Sequence, residues 1–87
     1  ENMINVDITV YPNPASDMFT LEFGDEFMGK DAVVSVRNIL GSSVIDISAL
    51  NISGEQKIDI SALSEGIYLV SINIEGKTYT KRISVVK

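Results

Sequence analysis

The sequence has no cysteine, no histidine and no tryptophan, and only two prolines among its 87 residues. Without cysteine no disulfide braces the fold. Without cysteine and histidine together, the serine–histidine and cysteine–histidine nucleophilic systems are excluded, and so are the ordinary zinc ligand sets. Positive charge is scarce. Seven Lys and Arg face twelve Asp and Glu, for a net charge of −5. A nucleic-acid binder must displace counterions from phosphates with basic side chains, so nucleic acid and anionic membrane surfaces are set aside as partners. No apolar run approaches the roughly 20 residues of a membrane-spanning helix. The opening stretch from Glu1 to Val10 has neither a basic region nor a hydrophobic one, so it is not a secretory signal peptide. A start at Glu1 fits a fragment of a longer parent, whose own signal would lie upstream.

What is present is a folding composition, 45% hydrophobic and 22% charged. The length predicts one domain, 1–87, with residues 1–7 as a linker or lead-in to the first strand. A chain this small buries only about 60–65% of its unfolded surface, so its core is thin. The dominant hydrophobic period is two. Ile4, Val6, Ile8 and Val10 alternate with polar residues, as do Phe19, Leu21 and Phe23. Val34 and Val36, Ile45 and Ile47, Ile58 and Ile60 follow. The longest stripe is Tyr68, Val70, Ile72 and Ile74, and Tyr79, Ile83 and Val85 close the series with Lys81 interrupting. Such alternation places one face on a core and one in water. Breakers at Pro12-Asn13-Pro14, Gly24 to Gly29, Gly41, Gly54, Gly66 and Gly76 divide the chain into about seven short strands. That pattern predicts an all-β, immunoglobulin-like antiparallel β-sandwich. Asp25 to Lys30 has room for one helical turn and no more.

Four local motifs carry further expectations. Ile67–Ile74 and Lys77–Val86 form a strand pair around the turn Glu75-Gly76, and nothing in the sequence follows the second strand. Leu63, Gly66 and Tyr68 have the spacing of a tyrosine corner: the glycine permits the bend, the leucine packs beneath it, and the Tyr68 hydroxyl bonds main chain within 61–66. Ile45-Asp-Ile-Ser-Ala-Leu50 recurs as Ile58-Asp-Ile-Ser-Ala-Leu63. This reads as two strand ends solved alike, with serine turning the chain and a leucine plugging the core. Tyr11-Pro12-Asn13-Pro14 reads as a stiff extended segment ending the first strand, with Asn13 capping the turn.

Chemistry is nearly absent. Asp46 and Asp59 alternate with isoleucines and point to solvent, so they form no general acid–base pair. Asp25, Glu26 and Asp31 lack the alternating spacing of a calcium loop, and Phe27 among them reads as a plug on the sandwich end. Asn51-Ile-Ser53 matches a glycosylation sequon but reads as a turn. Few aromatics remain for a sugar platform once the core is filled. No catalytic residue, no metal site, no cofactor and no small-molecule substrate is expected.

Taken together, Tyr11-Pro12-Asn13-Pro14, Val36-Arg-Asn-Ile-Leu-Gly41, Asp59-Ile-Ser-Ala-Leu-Ser-Glu-Gly-Ile-Tyr-Leu-Val70, Lys81-Arg82 and Ile83-Ser-Val-Val-Lys87 resemble, in order and over nearly the whole chain, the C-terminal sorting domains of proteins exported by the type IX secretion system. The middle motif departs from the family pattern, with Asn38 where aspartate is usual and Ser42 where a basic residue is frequent; both suit a turn. The resemblance implies a sandwich at the end of a larger cargo protein that directs the cargo across the outer membrane. It implies transit through the periplasm and then a surface or extracellular destination. Its implied partners are the outer-membrane machinery, a sortase-like protease that removes the domain, and the cargo domain upstream. Cleavage would fall in or before Glu1–Asp7.

A short exposed edge on the last strand is the expected address, with free backbone groups open to a partner strand. Lys81, Arg82, Ile83, Val85, Val86 and Lys87 are the candidate recognition residues. Positive charge there suits an acidic receptor, while edge lysines also serve to block aggregation. Tyr11, Pro12, Asn13, Pro14, Gly41, Leu63, Gly66 and Tyr68 are the candidate structural residues. The competing reading is an immunoglobulin- or fibronectin-like accessory module that spaces or binds for a secreted enzyme.

Overall fold

Period-two alternation builds seven strands in a computed structural model of the chain, which describes residues 8–49 and 51–87. The strands are β1 (Ile8–Tyr11), β2 (Met18–Phe23), β3 (Ala32–Arg37), β4 (Ser43–Ala49), β5 (Glu55–Asp59), β6 (Gly66–Ile74) and β7 (Lys77–Val85). A 3₁₀ turn over Asp25–Phe27 is the one helical element among the described residues. The expected positions Ile4, Val6 and Leu50, and the Glu1–Asp7 segment, lie outside the described residues.

Two antiparallel sheets form, ordered β1-β2-β5 and β4-β3-β6-β7. The fold is therefore an all-β sandwich. Lettered A to G, the sheets are A-B-E and D-C-F-G. The constant-type immunoglobulin arrangement is ABED against CFG, so here the fourth strand has moved to the other sheet. The short loop Asn38–Ser42 explains the move. It joins β3 and β4 as a tight hairpin, and a hairpin keeps its two strands in one sheet.

The alternating residues meet between the sheets. Phe19 and Leu21 from one side face Val34, Val36, Val70, Ile72, Ile83 and Val85 from the other, all at most 1% exposed. Phe27 plugs one end as expected. Its ring stands edge-on to Phe23 at 6.2 Å and to Tyr79 at 5.5 Å. Such T-shaped contacts favour aromatic rings at an apolar boundary.

Turn chemistry follows the residues. Glu75 and Gly76 both take positive φ, 53° and 83°, and join β6 to β7 as a two-residue hairpin. Between β3 and β4, the Asn38 side-chain oxygen accepts from the amides of Leu40 and Ser42, both at 3.0 Å, and Gly41 takes φ 89°. An aspartate would accept the same two bonds, which is why asparagine serves here. Asn51 sits at φ 62° in the turn before β5, with its amide donating to Asp31.

The two Ile-Asp-Ile-Ser segments are not equivalent strand ends. The first lies wholly inside β4, because Ser48 and Ala49 still pair with Val33 and Ala32 of β3. The second does end its strand. β5 stops at Asp59 opposite Met18, and the Asp59 carboxylate, rather than a serine hydroxyl, makes the turn by accepting from the Ser61 amide at 2.8 Å.

The tyrosine corner forms as the spacing predicts. Tyr68 is 6% exposed, and its hydroxyl donates to the Ser64 carbonyl at 2.7 Å. Leu63 packs against the core beside it. The Tyr68 ring also lies over Gly66, 3.9 Å from where a Cβ would stand. Tyr68→Phe keeps the ring and deletes only this bond. It is expected to lower stability by about 1 kcal/mol. Urea unfolding with an unchanged slope checks it, and an unmoved midpoint would show that the hydroxyl contributes nothing.

Candidate functional site

The candidate site is the outer edge of β7, where, among the described residues, the last strand has no neighbour beyond β6 in its own sheet. Its geometry starts with Tyr11-Pro12-Asn13-Pro14. β1 pairs with β2 as far as Tyr11, in the three-stranded sheet. Pro12 and Pro14, each following a cis peptide bond, end that pairing. Four residues past Tyr11 the chain is on the other sheet, where Ala15 forms a parallel bridge with Val85 of β7. The motif is thus a crossing between sheets.

The crossing closes part of the edge. The Ala15 amide donates to the Ser84 carbonyl, and the Val86 amide donates to the Ala15 carbonyl, both at 2.8 Å. Asn13 does not cap its own turn. Its side-chain nitrogen donates to the Arg82 carbonyl at 3.1 Å, and its oxygen accepts from the Ser84 amide at 3.0 Å. One side-chain amide so stands in for a strand residue. Ladder alternation then assigns the rest of the edge. Ser84 turns both its backbone groups away from β6, so Thr80 and Thr78, in the same unbroken register, do likewise. From Arg82 to Val86 the outward groups are largely satisfied. From Thr78 to the Arg82 amide they are not bonded to any described strand.

The candidate recognition residues divide accordingly. Ile83 and Val85 are each 1% exposed and belong to the core, so the folded domain does not present them. Lys81 is half-buried on the same inward row, opposite Val70. Arg82 and Val86 are exposed on the outward row. Lys87 is a latch between the layers. Its ammonium donates to the carbonyls of Ser16 at 2.7 Å and of Ile60 and Ser61 at 3.4 Å each. A salt bridge joins Lys30 to Glu75 at 2.9 Å, in the turn that leads into β7.

Ala15, 1% exposed, is a site residue that periodicity did not mark. A single alanine after a proline carries no strand signal, and its partner lies 70 positions away.

Three side chains titrate away from their ordinary values, of which Asp46 lies on β4, at the opposite margin of the four-stranded sheet from β7. The Ser35 hydroxyl, then that of Ser43, holds the Asp46 carboxyl below its ordinary value. The Ser61 backbone amide does the same for Asp59, helped by the Ser61 hydroxyl and by the Lys87 charge. Tyr11 is raised, first by its 2.9 Å hydrogen bond to the Glu55 carboxylate.

With that geometry in place the class is defined: a two-sheet immunoglobulin-like module with one partly open, basic edge. Residues 9–86 match the family of secretion system C-terminal sorting domains, and the chain belongs to that family. The domain is a C-terminal sorting signal of the type IX secretion system, a role that implies export across the outer membrane to the cell surface or extracellular space. A comparison with curated proteins finds no match.

Asn13→Ala should speed hydrogen exchange at the Ser84 amide by about tenfold or more and leave the Ile83 amide, which faces β6, unchanged. Equal rates in both forms would mean that the Asn13 side chain does not protect the edge. The acid limb gives a second measurement. Both depressed carboxyls contribute stability above the ordinary aspartate range, and lose it as pH falls through their folded values. Melting temperature should therefore drop from pH 5 downwards, and the double variant Asp46→Asn, Asp59→Asn should flatten that drop. An identical acid limb in the variant would refute the linkage.

Proposed function

We propose that the folded domain is read by the outer-membrane export machinery through backbone pairing along the open part of β7, and that a sortase-like protease afterwards releases the cargo by cutting in or before Glu1–Asp7. The cargo domain lies upstream and crosses the periplasm before it meets the machinery. The observation that carries this reading is the half-closed edge. Asn13 and Ala15 cover β7 from the Arg82 carbonyl to Val86, and no described strand pairs with Thr78 to the Arg82 amide on that side.

Charge supports the same edge. The stretch Lys77–Lys87 holds Lys77, Lys81, Arg82 and Lys87 and no carboxylate side chain, in a domain of net charge −5. An acidic receptor strand would be drawn there and held in one orientation, while the backbone ladder supplies affinity without demanding particular side chains. The same cations discourage pairing between two copies of the edge. Of the candidate recognition residues, Lys81, Arg82 and Val86 meet a partner directly, whereas Ile83, Val85 and Lys87 act by keeping the strand in place.

A reporter fused ahead of residues 1–87, behind a signal peptide in a host with this secretion system, should reach the surface or medium. Retention in the periplasm defeats the sorting reading. Thr80→Pro tests the edge itself. It removes an outward-facing amide that β6 does not use, so the internal ladder survives. Export should fall at least tenfold, and export at the parent level sinks the edge reading. Deleting Ser84–Lys87 is a poorer probe, because it also removes Val85 from the core and both bonds to Ala15.

A further inference from the structure

On the outer face of the β4-β3-β6-β7 sheet the exposed apolar side chains gather at one end, while at the other Val33, 53% exposed, stands between Ser48 and Asn73. Ser35, Ser71 and Thr80 form a polar row across three strands. One row further along β3, Arg37, Leu69 and Arg82 lie side by side. Beyond them Ile67 stands opposite Ser84, and the β3–β4 turn carries Ile39 and Leu40 at the same end. Ile39 is 79% exposed and Leu40 86%, and Val44, Ile67, Leu69 and Val86 are each 40% or more. Single exposed apolar residues are ordinary, but a cluster rimmed by polar groups marks an interaction surface.

The hairpin does not require these side chains. Its hydrogen bonds come from Asn38 and from the Arg37 guanidinium, which donates to the Gly41 carbonyl at 3.2 Å, and its backbone bend from Gly41. Polar residues would serve the turn equally and would be usual there. The outer face of the other sheet is built differently, with Glu22, Glu55, Lys57 and Asp59 on its rows.

We infer that this apolar end of the four-stranded sheet, centred on Ile39, Leu40, Ile67 and Leu69 between Arg37 and Arg82, docks a second surface of the export receptor: an apolar protein patch rimmed by carboxylates. The inference rests on the sorting role proposed above and adds a site to it. Two features select this occupant. Arg37 and Arg82 flank the apolar residues, while Asp46, the one carboxylate on that face among the described residues, stays ionised one row away, opposite Ser35. The apolar end itself is therefore positively charged on a domain of net charge −5, which complements an acidic rim. Second, Arg82 belongs both to this patch and to the open edge of β7, so a receptor strand added beside β7 continues directly into a surface covering Leu69 and Ile67. The edge supplies backbone bonds of low specificity; the patch supplies the side-chain contacts that a sorting signal needs in order to be told from any other sandwich edge.

The test uses the reporter fusion with Ile39→Ser, Leu40→Ser, and separately Arg82→Glu. All three side chains are exposed, so the melting temperature of each variant should stay within a few degrees of the parent. Export of the serine double variant should fall at least tenfold, and Arg82→Glu should do the same. Parent-level export of the serine variant overturns the docking surface, even if Thr80→Pro still blocks export. Loss in the serine variant with normal export of Thr80→Pro keeps the patch and removes the edge. Failure of the parent fusion itself overturns the sorting role and the patch with it. If sedimentation instead shows a dimer of the parent chain that the serine variant abolishes, the occupant is a second copy and the receptor assignment is wrong.

Discussion

Everything in this domain depends on one crossing of the chain from sheet to sheet. The apolar core packs the two sheets face to face, and the crossing at Pro12–Ser16 stitches one margin shut. Ala15 and the Asn13 side chain bond the last strand, and Lys87 reaches back to the carbonyls of Ser16, Ile60 and Ser61. With no disulfide to brace it, the domain ties the crossing, its last strand and the turn after β5 together through backbone groups and two side chains, Asn13 and Lys87. Hydrogen bonds between parts of the chain about 70 residues apart close a loop that takes in most of the molecule.

That closure also decides what the outside meets. A sandwich has several sheet margins, and an uncovered margin pairs with whatever strand comes near. Here the crossing covers part of the longest outer strand and stops. What remains open is short, flanked by Lys81 and Arg82, and continuous with an apolar patch on one face. A partner is therefore met by a composite surface in which backbone, positive charge and apolar side chains lie together, while most of the remaining surface is polar or acidic.

Much of this was legible in the residues. Seven strands, their inward faces, the Phe27 plug and the Tyr68 corner follow from alternation and from local spacing, because each is settled within ten residues or so. The family resemblance rested on several motifs in order and was shown by the match over residues 9–86. Less legible was the use each motif is put to. The two Ile-Asp-Ile-Ser segments read alike, yet only the second ends a strand, since strand length is set by the partner strand and not by the segment. Asn13 read as a local cap, but its partners are Arg82 and Ser84. Ile83 and Val85 read as part of an address, although period two already placed them with Tyr79 on an inward row.

Composition and periodicity determine that this chain is an all-β sandwich, that it has no cysteine or histidine for thiol chemistry or the ordinary zinc sets, and which side chains face inward. These are short-range properties, fixed by covalent alternation and by the cost of leaving apolar surface in water. Which sheet the fourth strand joins, which part of the last strand stays open, and that Ile39, Leu40, Ile67 and Leu69 share one end of one face are decided by tertiary pairing alone. Register between distant strands is a collective outcome of packing and loop length, and no local run of residues encodes it.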